Sequence, residues 1–131
     1  MATAHIYAQL SHARRLKVGA IAVKDGRIIS IGYNGMPSGW DNNCEITLED
    51  GSLKTRPEVL HAESNCITKM AKSNESGEGA DMFITHAPCI DCAKLIYQSG
   101  IKRVFFGEAY RDDAGVRFLQ NSGIPVEQIE T

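Results

Sequence analysis

The stretch DMFITHAPCIDCAKLIYQSGIKRVFFG, residues 81–107, decides how the rest of the chain is read. "DMFITH" has the β-branched and aromatic content of a strand, and "KRVFFG" repeats that character further on. Between them "PCIDCAKLIYQSG" reads as a helix, opened by Pro88 at a favoured first-turn position and closed by Gly100. Strand, helix, strand is the repeating unit of an α/β sheet.

Upstream, "VGAIAV" (18–23) and "RIISIGY" (27–33) are two more strands, and the Asp-Gly of "KDGR" signals a tight hairpin between them. Residues 4–15 set Ile6, Leu10 and Ala13 at helical spacing, which predicts an amphipathic first helix. Residues 35–56, with "GMPSGWDNNCE" and "LEDGS", form a long connection, and connections of that length tend to be functional. A helix follows with Val59, Ala62, Cys66 and Met70 on one apolar face, ending before the polar "SNESGEG". After the "KRVFFG" strand come a helix over "DDAGVRFLQNSG" and a final strand, "IPVEQI", whose proline suits an edge. The order α-β-β-α-β-α-β-α-β predicts one three-layer α/β/α domain over residues 1–131. Its central mixed five-stranded sheet is expected to be mostly parallel, with an antiparallel hairpin first.

A chain of 131 residues is the size of a single domain and can bury a core without staples. A net charge of −2 argues against a large nucleic-acid surface, which shows as a basic excess. The one tight basic cluster, Arg14, Arg15 and Lys17, reads as a solvated helix end. No apolar run of about 18 residues is present to span a membrane. The N-terminus also lacks the basic start and apolar core of a signal peptide. Four cysteines without such a signal point to a reducing cytoplasm, a host's if the chain is viral.

In that compartment a close cysteine pair is more often metal-binding or catalytic than a disulfide. Cys89 and Cys92 share one face of the predicted helix, close to its N-terminus, where amides and dipole favour thiolates. Two thiolates and an imidazole select zinc, and His61 is the nearest strong third donor. Such a set leaves a fourth position for water, whose pKa falls to about 7 there. Glu63 stands two residues from His61, on nearly the opposite side of an ideal helix. If the helix starts at His61, its first turn can aim His61 at the metal and Glu63 at the water, where a carboxylate can move a proton to a substrate nitrogen. Against this stand a structural zinc site closed by His86 and a redox pair. The first leaves Glu63 unexplained and the second lacks a thioredoxin-like setting. Cys66 falls on the apolar stripe as a core thiol, and Cys44 is a free loop thiol. His86 lines a pocket or ends its strand, and Trp40 caps a core or meets another subunit.

H-x-E followed by P-C-x-x-C is the signature of zinc deaminases, and here it stands as His61-Ala62-Glu63 and Pro88-Cys89-Ile90-Asp91-Cys92. With "RLKVGAIAVKDGRIISIGYNGMPSG", "THAPCIDCAKLIYQSGIKRV" and "NSGI", the chain resembles the deoxycytidylate (dCMP) deaminases of the cytidine deaminase superfamily, in particular the short phage-type members. The resemblance runs from about Arg15 to Val126. His61 in place of the cysteine of free-nucleoside deaminases favours a nucleotide substrate. The resemblance implies hydrolysis of dCMP to dUMP and ammonia, supplying thymidylate synthesis, with His61, Cys89 and Cys92 holding Zn²⁺ and Glu63 shuttling protons to N3. It also implies substrate contacts from Asn34, Ala62, Pro88, Tyr110 and Arg111, with Arg111 gripping the 5′-phosphate. A homohexamer activated by dCTP with Mg²⁺ and inhibited by dTTP is implied too, with Gly32, Tyr33, Asn34 and Gly35 at the effector site. The short span from Cys44 to Leu60 gives no support to a second, structural zinc. Zinc chemistry on tRNA adenosine or single-stranded DNA is the competing enzymatic reading, and a nucleotide-sensing zinc module without turnover is the non-enzymatic one.

Overall fold

The structure is a computed structural model that describes residues 1–130. The hairpin forms as its Asp-Gly turn requires. Strands β1 (Gly19–Lys24) and β2 (Arg27–Tyr33) pair antiparallel, with Asp25 and Gly26 at φ 52° and 74°. Strands β5 (Asp81–His86), β6 (Arg103–Glu108) and β7 (Val126–Gln128) complete the sheet in the order β2-β1-β5-β6-β7. β7 is an edge strand, as Pro125 beside it suggests. The sheet is evenly mixed rather than mostly parallel. β1 lies between β2 and β5 and is antiparallel to both, while β5–β6 and β6–β7 are parallel.

Cross-strand register shows which face carries the core. Ala20 and Ala22 stand opposite Ile84 and Met82, and those opposite Phe106 and Val104, so all six point the same way. Helices α2 (Ala62–Ala71), α3 (Ile90–Gln98) and α4 (Ala114–Asn121) add Ala62, Cys66, Met70, Ala93, Ile96 and Leu119 to that side. α2 packs on α3 and α3 on α4. The opposite face is covered at one end by helix α1 (Ala2–Ala8), which sits on Gly19.

α1 departs from expectation in both length and facing. It ends at Ala8, and Ile6 and Leu10 are 61% and 53% exposed, while Ala4 and Ala8 face inward. The Ala4 carbonyl and Ala8 amide come so close to Gly19 that only small side chains fit in the seam. Residues 14 and 15 give their amides to the Glu45 carboxylate instead of continuing a helical ladder. The connection 35–56 is not wholly irregular either. It contains a small antiparallel hairpin, β3 (Glu45–Thr47) with β4 (Leu53–Thr55). Trp40 is 54% exposed and caps no core. No helix among the described residues is long and apolar enough to cross a membrane.

Two glycines set how near the helix starts come to their neighbours. A Cβ on Gly32 of β2 would strike the Ala62 carbonyl and lie 2.5 Å from the Cys66 amide, so α2 docks on bare backbone. A Cβ on Gly115 of α4 would strike the Pro88 carbonyl and the Cys89 backbone at 2.8 Å. Substituting Gly32→Ala should therefore push α2 outward and cost about 1–3 kcal/mol, the usual range for overpacking. Its urea midpoint should fall and its zinc affinity weaken together. An unchanged midpoint contradicts the tight docking.

Candidate active site

The helix boundary decides how His61 and Glu63 are placed relative to one another. His61 is the N-cap of α2, with extended backbone at φ −75°, ψ 157°, and its carbonyl already accepts the Asn65 N–H at 3.0 Å. Glu63 is the second residue inside the helix. Being outside the helical turn, the His61 side chain is free of the two-residue spacing that would otherwise separate the pair. Cys89 is likewise the N-cap of α3, at φ −72°, ψ 170°, and Cys92 sits one turn on. Pro88 is therefore not in the first turn of the helix but ahead of the N-cap, and it is fully buried.

The two helix starts bring three donors together. His61 Nδ1 lies 3.2 Å from Cys92 Sγ and 3.5 Å from Cys89 Sγ, and all three ligand atoms fall within 4.8 Å of one another. A tetrahedral zinc with bonds of about 2.0–2.1 Å to nitrogen and 2.3 Å to sulfur has N···S edges of roughly 3.6 Å. The donor chemistry and spacing fit zinc. Among the described residues this is the one His/Cys/Asp/Glu group with metal-holding geometry. Cys44, Cys66, His86 and Glu63 all lie outside it.

Electrostatics agree with a cation site. Hydrogen bonds from the Cys92 thiol and from His61 pull the Cys89 thiol down to about 4. Cys92, the donor in that bond, keeps its own proton, pushed up by the bond and by burial. His61 is raised, chiefly by its hydrogen bond to Cys89. Without metal the trio thus shares protons that a dication would displace. Cys66, by contrast, is buried and raised by desolvation to about 11, an inert thiol at neutral pH.

Glu63 is 4% exposed, and burial lifts its carboxyl from 4.5 to about 7. With His61 and Cys89 it lines a cavity of about 470 Å³, within the roughly 300–1,000 Å³ of small-molecule sites. Asn34, Ala62, Tyr110, Arg111 and His86 line the same cavity, whereas Pro88, Gly32, Tyr33 and Gly35 do not. His86 is the last residue of β5 and Cys44 is a buried thiol at the cavity wall. The Asn34 side chain is engaged within the chain. Its Oδ1 accepts the Val18 N–H and its Nδ2 donates to the Leu16 carbonyl, both at 2.8 Å. The amides of Asn34 and Gly35 are taken by the carbonyls of Val18 and Leu60, so the GYNG backbone is not free to cradle a triphosphate in the chain by itself.

Arg15 lines the cavity too, and the sequence reading missed it by treating it as a solvated helix end. Its role emerges from a census of the seven arginines. Arg14, Arg27, Arg56, Arg103 and Arg117 each pair with a carboxylate. Among the described residues only Arg15 and Arg111 do not, and both line this cavity. Two guanidinium groups without a carboxylate partner thus share one cavity with His61 and Cys89, a lining suited to an anionic ligand.

The family described as "Cytidine and deoxycytidylate deaminase zinc-binding region" matches residues 1–108. The chain belongs to this family. It is 35% identical to the deoxycytidylate deaminase of Enterobacteria phage T4, over 94% of this chain and 84% of that protein. It is 40% identical to the human deoxycytidylate deaminase, over 86% of this chain and 65% of that protein. The crystal structure of dCMP deaminase from cyanophage S-TIM5 in complex with dCMP and dUMP superposes with a TM-score of 0.91 at 50% identity, covering 98% of this chain and 92% of that one. The α/β fold of this chain is the cytidine deaminase-like fold of that neighbour, and the chain is an enzyme of the zinc deaminase type.

Two measurements follow from this geometry. Cys89→Ala and Cys92→Ala should lose tight zinc, read by metal content after gel filtration, whereas Glu63→Gln should keep one ion per chain. The second concerns stability. A carboxyl raised in the fold retains a proton that the unfolded chain releases, so its contribution is full below pH 4.5 and is lost as pH rises to about 7. In the metal-free chain Glu63→Gln should therefore be more stable than wild type by about 1–3 kcal/mol at pH 8, with no advantage near pH 4. Equal denaturation midpoints at pH 8 contradict a buried Glu63 carboxylate.

Proposed function

We propose that the protein hydrolyses dCMP to dUMP and ammonia. The observation that carries this reading is the joint lining of one cavity by His61, Cys89 and Glu63 at the metal end and by the two carboxylate-free arginines, Arg15 and Arg111. An aminopyrimidine at the first and a 5′-phosphate at the second describe a cytosine nucleotide. The family and the named activities of its relatives support the same substrate.

Zinc held by His61, Cys89 and Cys92 supplies the Lewis acidity that makes water a nucleophile at neutral pH. The remaining work falls to the chain. Water adds to C4 of cytosine, and one of its protons passes through Glu63 to N3. The other, on the new C4 hydroxyl, passes through Glu63 to the amino group. The C4–N4 bond then breaks, releasing ammonia and leaving the uracil carbonyl. A carboxyl beside the metal ligands can both accept and return a proton, as this double transfer needs. The cavity wall shields Glu63 from bulk water. Arg111 and Arg15 grip the phosphate, while Tyr110, Asn34 and Ala62 shape the space between.

Family membership also supports activation by dCTP with Mg²⁺, inhibition by dTTP and a homohexamer. Because the GYNG amides are engaged, an effector triphosphate would be held there by side chains or by a second copy. The test is ultraviolet-monitored deamination by zinc-loaded protein. dCMP should be hydrolysed far better than deoxycytidine, and Glu63→Ala should lose roughly 10²–10⁴-fold in turnover or more. The dCMP response should be sigmoidal and become hyperbolic with dCTP and Mg²⁺. Preference for a polynucleotide over dCMP, or no turnover with zinc in place, overturns the substrate. A hyperbolic curve indifferent to dCTP and dTTP overturns the regulation alone.

A further inference from the structure

Glu45 is a buried carboxylate that the deamination chemistry does not use. It opens β3 with its side chain 1% exposed, a position that is costly for a charge unless hydrogen bonds satisfy it. They do. Oε2 accepts two consecutive backbone amides, Arg14 N–H at 2.8 Å and Arg15 N–H at 3.1 Å. Oε1 receives Arg14 Nε at 3.4 Å. These bonds hold the carboxyl below its ordinary value although burial alone would raise it. One oxygen bonded to two successive amides fixes the backbone of residues 14 and 15 at the cavity wall.

The other strand of the hairpin completes the clamp. Thr55 of β4 stands directly opposite Glu45 in register, and its Oγ1 accepts Arg15 Nη1–H at 3.0 Å. Arg15 is thus held by the backbone from β3 and by the guanidinium from β4. The charge of Glu45 is spent on Arg14 and two amides, so the Arg15 charge stays uncompensated and its other guanidinium N–H groups are available to an anion.

We propose that Glu45 is a positioning residue for phosphate recognition: the β3–β4 hairpin uses it, with Thr55, to present Arg15 to the phosphate of the bound nucleotide. This rests on the dCMP reading above. In Glu45→Ala both oxygens are gone, so the amides of Arg14 and Arg15 lose their shared acceptor and the turn at 14–15 loosens while the metal end is untouched.

The experiment uses the zinc-loaded full chain and pairs nucleotide with nucleoside. Glu45→Ala should raise KM for dCMP and Kd for dUMP about tenfold, with kcat within about twofold of wild type. Deoxycytidine kcat/KM and deoxyuridine Kd should not move, since they lack the phosphate. Thr55→Val, which removes only the guanidinium anchor at an exposed site, should show a smaller loss with the same selectivity and serves if Glu45→Ala does not fold. Equal losses for nucleotide and nucleoside, or none for either, overturn the assignment of Glu45. If wild type itself binds dUMP no better than deoxyuridine, the phosphate reading fails first, and Glu45 with it.

Discussion

Two helix N-termini meeting at one point is the constraint on which the rest of this molecule depends. The positive ends of α2 and α3 converge where a cation is to sit, an arrangement that repels the ion unless negative charge is placed between them. Cys89, already a thiolate, and Cys92, once a dication displaces its proton, would supply that charge. His61 and Cys89 are both N-caps with extended backbone, so each side chain leaves its helix at the start and turns toward the other. The convergence is possible only because Gly32 and Gly115 let α2 and α4 press on bare backbone. Packing at the core face and chemistry at the metal end are therefore one structural problem.

Much of this was legible in the sequence, for a physical reason. The HAE and PCIDC motifs combine residues close in sequence, at helix starts that local signals mark, so their chemistry could be read before any tertiary contact was known. The doubt over His61 and Glu63 came from assuming helical geometry for both. The helix in fact begins one residue later, and boundaries of one residue are set by capping rather than by periodicity. The first helix was misread because its apolar spacing, Ile6 and Leu10, competed with a seam too narrow for either side chain. The even mixture of parallel and antiparallel pairing likewise depends on β1 slotting between β2 and β5, a long-range choice that no local pattern records.

Charge shows the same division. A net −2 hides a local site, because five arginines are neutralised by carboxylates and two are not. The partner of each arginine is a distant residue more often than a near one, as with Arg14 and Glu45. Composition could exclude a broad basic surface but could not find an anion pocket. In the proposed clamp the long connection 35–56 provides Glu45 and Thr55, two residues that no sequence pattern singles out.

The most direct test of the convergent helix starts is X-ray absorption at the zinc edge of the loaded full chain. Two sulfurs at about 2.3 Å and one imidazole nitrogen near 2.0 Å per zinc, unchanged in Glu63→Gln, follow from the geometry of His61, Cys89 and Cys92. Three or four sulfurs, which would draw in Cys44 or Cys66, or a shell altered by Glu63→Gln, would show that the two helix starts do not build the site described.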